Sequence, residues 1–131
     1  MKKEKVETNL VSIPRKGISQ AIRFGNIMFV SGQVGEDAEG NVPEGIEAQT
    51  ELAIQNARKI IEAGGATLDD VLMCRCFLQK IEDFSGMNAA YFKYFGDQED
   101  GPARYTVVAP PVFKELLIEV AMYVGLPEKD R

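Results

Sequence analysis

The chain has 131 residues, enough for one globular domain over residues 1–131 whose core needs neither a disulfide nor a structural metal. A composition of 45% hydrophobic and 27% charged residues, with a net charge of −5 and no long basic run, disfavours a membrane span and a nucleic-acid partner. The sequence holds no histidine, which excludes histidine-based catalytic triads, histidine-zinc sites and two-histidine ribonuclease chemistry.

The first residues of the chain are charged and polar. They contain no apolar segment of the kind that a secretory signal needs, so we expect a cytoplasmic protein. Two strands are predicted next, over residues 19–24 and 27–33, joined by Gly25-Asn26, a dipeptide typical of tight hairpin turns. Residues 36–43 are rich in acids, Gly and Pro and therefore predict a loop.

The middle of the chain carries two helical patterns. Apolar residues recur at helical spacing over residues 46–63, and Gly64-Gly65 provides the stop. A strand is predicted over residues 71–79, followed by a second helix over residues 84–95. The second helix has an apolar stripe that favours a core-facing side over a binding surface, and its members are Phe84, Met87, Tyr91, Tyr94 and Phe95.

Two further strands, over residues 103–108 and 116–124, complete the chain and are joined by a loop with Pro110-Pro111. The order strand, strand, helix, strand, helix, strand, strand predicts an α+β domain with a mixed sheet and both helices on one face. A single chain then offers no layer to cover the other face. We therefore expect that face to pack against other copies of the chain.

The two cysteines, Cys74 and Cys76, lie in the strand predicted over residues 71–79. Residues two apart on a strand share a face but lie too far apart for good disulfide geometry, and two thiols alone cannot complete a zinc site. We favour small buried hydrophobic residues as their role, with a reactive thiol as the alternative.

Two charged residues stand out in the last strands. Glu119 is surrounded by apolar residues, so it is either a general acid or base with a raised pKa or a structural salt bridge or interface contact. Arg104 begins a strand and can bind the carboxylate of a small organic acid through two parallel hydrogen bonds, although a surface arginine is the alternative. The two form a catalytic pair only if they meet in space.

A third candidate is Gly32, in Ser31-Gly32-Gln33 at the end of the second strand. Glycine there allows a ligand to approach the free backbone groups closely. An ordinary turn glycine is the alternative.

These residues together resemble the RidA/YjgF family, the reactive intermediate deaminases. The resemblance covers nearly the whole chain and rests on Ser31-Gly32-Gln33, on Asn88-Ala89-Ala90-Tyr91, and on Gly101-Pro102-Ala103-Arg104 with Glu119 fifteen positions after Arg104. It implies a fold like that of chorismate mutase. It also implies a homotrimer whose sheets form a central barrel, with three ligand clefts between subunits.

The resemblance implies hydrolysis of reactive enamines and imines such as 2-aminoacrylate to 2-keto acids and ammonia, without a cofactor or metal. Arg104 would bind the substrate carboxylate, Gly32 and Thr106 would line the pocket beside Ser31, and Glu119 would position or activate the attacking water.

The chain departs from the RidA pattern at two positions of this implied pocket. Ile18 stands where RidA has a tyrosine, and Thr106 stands where it has a cysteine. These changes indicate a paralogous branch with a different substrate preference.

Two other functions are open besides the deaminase. One is a non-catalytic trimeric protein that binds 2-keto acids or regulates a partner through the same clefts. The other is the endoribonuclease activity attached to some relatives, which the negative charge and the lack of histidine disfavour.

Overall fold

The computed structural model describes residues 1–128 and contains six strands and two α-helices there. Every predicted helix and strand is present, with ends that differ from the prediction by at most two residues. In chain order the elements are β1 Glu4–Val6, β2 Ala21–Phe24, β3 Ile27–Val34, α1 Ile46–Ala63, β4 Val71–Leu78, α2 Phe84–Phe95, β5 Ala103–Val108 and β6 Ile118–Gly125. Short 3₁₀ turns, Leu68–Asp70 and Ile81–Asp83, precede β4 and α2.

All six strands form one mixed sheet in the order β1-β2-β3-β6-β4-β5. Neighbouring strands are antiparallel except β4 and β5, which are parallel and are connected through α2. The predicted hairpin joins β2 to β3, and Gly25 adopts the positive φ of 63° that such a turn requires. The chain thus has the mixed α+β architecture that the sequence predicts.

Strand β1 was not predicted from the sequence. It pairs with β2 at the edge of the sheet, and Val6 lies opposite Ala21. Of its three residues only Val6 is buried, so no alternation of apolar and polar residues is long enough to indicate a strand.

Both helices pack on one face of the sheet. Fully buried side chains from the strands, including Met28, Ile118 and Met122, meet Ile60 of α1 and Met87 of α2 in one core. Removing apolar side chains from water in this core supplies the main favourable contribution to folding. The same contacts fix the positions of the strands on which the site is built.

The other face of the sheet is open. Phe29, Tyr105 and Val107 project from it with 47%, 44% and 42% of their surfaces exposed, and nothing in residues 1–128 covers them. Large apolar side chains exposed together on one sheet face are typical of protein interaction sites. None of the helices in residues 1–128 is long and apolar enough to cross a lipid bilayer.

Candidate active site

Arg104 is held beneath helix α2. It is the second residue of β5 and shares the helix-covered face with Cys74, its partner in the β4–β5 register. Its Nη1 donates a hydrogen bond of 2.7 Å to Oδ1 of Asn88, and its guanidinium carbon lies 4.7 Å from the centre of the Tyr91 ring. A short hydrogen bond and a cation–π contact therefore fix the guanidinium group in one orientation.

The aromatic residues of α2 pack in the core, around Arg104, or, in the case of Tyr91, against both. Tyr91 and Phe95 are buried and stack with ring centres 4.6 Å apart, as expected for a core-facing stripe. Phe84 was predicted to face the core, but it is exposed because it lies at the first position of the helix beside Arg104. Phe92 is exposed as well, and the ring centres of Phe84 and Phe92 lie 6.0 and 5.7 Å from the Arg104 guanidinium carbon. One side of the helix thus contributes to the core and also surrounds the arginine.

The charge of Arg104 is not neutralised by its partner, because Asn88 carries no charge. No carboxylate among residues 1–128 forms an ion pair with this arginine. A guanidinium group has five N–H donors in a planar fork, and the donors that Asn88 does not engage can bind a carboxylate. The arrangement is therefore suited to recognition of a small organic anion.

The two cysteines lie in the core on the same face as Arg104. Both are fully buried and unbridged, and their Sγ atoms are 3.9 Å apart. The Cys76 thiol and burial raise the pKa of Cys74 well above that of a free thiol. The Cys74 thiol, followed by the charge of Arg104, lowers the pKa of Cys76. Complete burial favours the role of small hydrophobic residues over that of accessible reactive thiols.

Thr106 lies two residues beyond Arg104 on the same face, beside Cys76 in the register. Its hydroxyl group is buried beside the Cys76 thiol, whose pKa it helps to lower. The residue also lines a cavity of about 220 Å³ together with Ile81 and Phe84. The hydroxyl group is thus available to a ligand that enters this cavity.

Glu119 belongs to the open face, on the central strand β6. A Cβ atom built on Gly32 of β3 would lie only 2.8 Å from the carboxyl carbon of Glu119, so the carboxylate lies directly against the Gly32 backbone. The register between β3 and β6 shifts between Val30 and Gln33, and this bulge contains Gly32. The glycine therefore allows the Glu119 carboxyl group to approach the backbone closely, and it is not a turn glycine.

A cavity of about 220 Å³ lies beside this bulge. Ile18, Ser31 and Gly32 line it, together with residues 11–14 and Asn56. Oγ of Ser31 donates a hydrogen bond of 2.6 Å to the carbonyl oxygen of Ser19, and this bond joins the segment with Ile18 to β3. Three of the predicted pocket residues are thus brought together.

Two buried amides hold the walls of this cavity in place. Gln20 donates through Nε2 to three carbonyl oxygens of the preceding segment, and Asn56 of α1 donates through Nδ2 to two carbonyl oxygens after the bulge. The acceptors are those of Thr8, Val11 and Ser12 for Gln20, and of Val34 and Glu36 for Asn56. The sequence had not indicated either amide.

The carboxyl group of Glu119 has an unusual environment. It forms no hydrogen bond and no ion pair with residues 1–128, and burial raises its pKa although the positive charge of Arg75 lowers it. A carboxyl group with a raised pKa can take up and release a proton nearer neutral pH than an ordinary one. Its environment therefore favours general acid–base chemistry over a structural salt bridge.

Arg104 and Glu119 do not meet within one chain. Phe77 of β4 lies beside both Glu119 of β6 and Val107 of β5, so Arg104 is two strands and three residues away from the carboxylate. With about 4.8 Å between strands and about 3.3 Å per residue, the two Cα atoms are roughly 14 Å apart. The side chains also lie on opposite faces. The described residues therefore form two separate groups. We call Arg104, Asn88 and Thr106 the arginine half-site, and Glu119, Gly32, Ser31 and Ile18 the glutamate half-site.

Comparison with known proteins identifies the family. Residues 11–125 match the family model described as Endoribonuclease L-PSP. The chain belongs to this family. A RutC family protein of Pyrococcus abyssi is 39% identical over 122 residues, which are 92% of this chain and 94% of that protein.

Further relatives connect the family with deaminases and with the Rid proteins. The 2-iminobutanoate/2-iminopropanoate deaminase of Dermatophagoides farinae is 31% identical over 121 residues, covering 91% of this chain and 93% of that protein. The crystal structure of a conserved Rid family protein from Yersinia pestis is 30% identical, covers 95% of this chain and 100% of that one, and superposes with a TM-score of 0.89. The resemblance to the RidA/YjgF family and the predicted fold class are confirmed.

No role was predicted from the sequence for two residues that contact Arg104. Asn88 and Phe92 both contact Arg104, and they lie one turn apart on the same side of α2 as Phe84. The position of an amide side chain on an aromatic face of the helix could have indicated a polar contact there. Residues 1–128 contain no group of three or more His, Cys, Asp or Glu side chains arranged to hold a metal ion.

Proposed function

We propose that the protein is a cofactor-independent deaminase that hydrolyses reactive 2-imino acids of the 2-aminoacrylate type to 2-keto acids and ammonia. The observation that carries the proposal is the Arg104 guanidinium, held by a neutral amide with its charge available for a carboxylate. The Dermatophagoides farinae relative, whose name includes 2-iminobutanoate and 2-iminopropanoate, supports the substrate class.

The two half-sites belong to different copies of the chain in this proposal. Three copies form a homotrimer through their open sheet faces, and each cleft combines Arg104 and Thr106 of one copy with Ile18, Ser31, Gly32 and Glu119 of the next. The exposed apolar face and the separation of Arg104 from Glu119 within one chain support this assembly.

The reaction needs only side chains and water. An enamine first gains a proton at carbon from solvent and loses one from nitrogen to solvent, which gives the imine. Arg104 binds the carboxylate while drawing electron density away from the imine carbon. Glu119 takes a proton from water as the oxygen forms a bond to that carbon. The nitrogen takes up that proton to give the amino alcohol. The hydroxyl proton of the amino alcohol then passes through Glu119 to the nitrogen as the C–N bond breaks, so that ammonia leaves and the 2-keto acid remains.

An amino-acid oxidase that generates imino acids in place, with semicarbazide to trap them, tests this function. We expect the wild type to suppress semicarbazone formation and to release ammonia in excess of protein, and Arg104→Ala to do neither. Equal suppression by the variant would overturn the proposal. If neither protein consumes any imine but the wild type binds 2-ketobutyrate and Arg104→Ala does not, the non-catalytic binding function replaces it.

The ribonuclease named in the family description is a weaker candidate for this chain. Ribonuclease chemistry commonly uses histidine as its acid and base, and the sequence has none. The net charge of −5 also opposes the binding of a phosphate backbone. Strong, salt-dependent RNA binding by the purified protein would reverse this ranking.

A further inference from the structure

Glu119 lines a cavity of about 260 Å³ on the open face of the sheet, and the other walls are Phe77 and the loop of residues 109–112. Phe77 is the register partner of Glu119 on β4. It alternates with Cys76 and Leu78, which are buried in the core, so its ring lies on the same face as the carboxyl group. The cavity therefore begins directly beside the candidate catalytic carboxylate.

The loop that forms the outer wall is fixed on either side. The backbone N–H of Ala109 donates a hydrogen bond of 3.0 Å to the carbonyl oxygen of Leu78, and that of Leu117 donates one of 2.8 Å to Oε1 of Gln49. Between these bonds, Pro110-Pro111 has restricted φ angles and no N–H group. The wall is thus stiff, and its prolines offer no backbone donor to a ligand.

The charge around this cavity selects against a charged ligand group. Apart from Glu119, its lining in residues 1–128 is apolar and contains no cation. An acidic group would meet only the negative charge of Glu119, and a basic group would pair with that carboxylate and remove the base that the proposed reaction needs. The cavity therefore suits an uncharged apolar group.

The size of the cavity and the exposure of its wall indicate what kind of apolar group fits. Pockets for drug-sized ligands measure roughly 300–1,000 Å³, so a cavity of about 260 Å³ suits a smaller group such as an amino-acid side chain. Val112 in its wall has 87% of its surface exposed. An apolar group in the cavity would remove part of that surface from water, which is favourable.

We propose that this cavity is the subsite for the substrate side chain, and that Phe77 and Val112 select 2-imino acids with apolar side chains of several carbons. This inference rests on the proposed function, because it places the imine carbon beside Glu119. With the substrate carboxylate on Arg104 and the imine carbon at the attacking water, the side chain is free to enter the cavity. The single side-chain carbon of 2-iminopropionate or 2-aminoacrylate would leave most of the cavity empty.

The first test measures kcat/KM on the imino acids that amino-acid oxidases generate in place from alanine, leucine and glutamate. We expect the leucine-derived imino acid to have a kcat/KM at least about tenfold above that of the alanine-derived one, because even one methylene group in an apolar pocket changes kcat/KM by about tenfold or more. The glutamate-derived imino acid should be the poorest of the three. Equal values for the alanine-derived and leucine-derived substrates would overturn the inference.

Val112→Phe fills the cavity from its exposed wall without disturbing the core. We expect it to lower kcat/KM about tenfold on the leucine-derived imino acid and at most about twofold on the alanine-derived one. Leu72→Phe is the matched control, since Leu72 is an exposed apolar residue near the other end of β4 and its replacement should leave both values unchanged. Equal losses on the two substrates in Val112→Phe would show that Val112 does not contact the side chain.

Binding of the product keto acids separates this inference from the proposed function, because it needs no turnover. Isothermal titration calorimetry with 4-methyl-2-oxopentanoate and with pyruvate measures it. Tighter binding of the larger keto acid, reduced to the level of pyruvate in Val112→Phe, supports the subsite even in a protein that hydrolyses no imine. The same Kd for both keto acids in the wild type overturns the subsite and leaves the deaminase proposal intact.

Discussion

The arginine half-site and the glutamate half-site differ in how many contacts the single chain provides to their charged side chains. Arg104 has a neutral hydrogen-bond partner at 2.7 Å and three aromatic rings around it. Glu119 has no hydrogen-bond partner in residues 1–128 and lies on a face that nothing there covers. The first is therefore organised by the fold of one chain. The second carries a carboxyl group that residues 1–128 leave without a hydrogen-bond or ion-pair partner.

The largest expected effect comes from mixing two inactive variants, which tests whether the two half-sites of a cleft come from different copies of the chain. Arg104→Ala and Glu119→Gln should each lose nearly all turnover in the oxidase assay. If the half-sites meet between copies, random assembly of equal amounts of the two variants places an intact Arg104 beside an intact Glu119 in one quarter of all clefts. Co-expression should thus restore about a quarter of wild-type activity.

The mixing experiment distinguishes the two arrangements clearly because each variant chain lacks one functional half-site. If both half-sites of a working cleft came from a single chain, no cleft in the mixture would be intact. Zero recovery, with mixed trimers demonstrated by mass spectrometry, would contradict the intersubunit arrangement. Mixing Arg104→Ala with itself is the control and should restore nothing.

Asn88→Asp is expected to disable the arginine half-site by neutralising it. An aspartate at this position would place a carboxylate about 2.7 Å from the Arg104 guanidinium group and compete with the substrate carboxylate. KM should rise by about tenfold or more with a smaller change in kcat, measured on 2-iminopropionate. Asn88→Ala removes the hydrogen bond without adding charge, so its rise in KM should be about threefold. Equal effects of the two variants would contradict the role of the neutral amide.

Gly32→Ala tests the close approach in the glutamate half-site. The added Cβ atom would meet the Glu119 carboxyl group, a flexible side chain that can move aside, so we expect about tenfold lower kcat and little change in Tm. Gly40→Ala is the converse control. Gly40 has a φ of 89° and no atoms near its Cβ position, so this variant should lose about 1 kcal/mol of stability and keep its activity. Wild-type activity in Gly32→Ala would show that the position of Glu119 is unimportant.

Much of the fold was predictable because its signals are local. The periodicity of residues 46–63 and the Gly25-Asn26 turn each depend on a few adjacent residues, and both elements are found where expected. The α+β class follows from the order of the elements. Strand β1 escaped prediction because it consists of two charged residues and Val6, too short a segment to show alternation.

The site was less predictable because it depends on register between distant strands. Arg104 and Glu119 were both recognised as candidates, but which face each occupies follows from the pairing of β5 with β4 and of β4 with β6. No local pattern encodes that pairing.

The smallest expected effect concerns stability and follows from the raised pKa of Glu119. Because burial raises this pKa above the ordinary value of 4.5, the folded state binds the proton more tightly than the unfolded chain. The stability gained from the protonated carboxyl group is fully present below pH 4.5 and is lost as pH rises through the folded-state pKa. Glutamine never ionises and so avoids this loss.

Glu119→Gln should therefore melt higher than the wild type at pH 8, by about 2 °C, and the difference should shrink at pH 4. Differential scanning calorimetry at several pH values measures it. Glu115→Gln, in the exposed segment before β6, is the control and should show no such trend. A lower Tm for Glu119→Gln at pH 8 would mean that the carboxylate is satisfied in the assembled protein, and the contrast between the half-sites would then belong to the single chain alone.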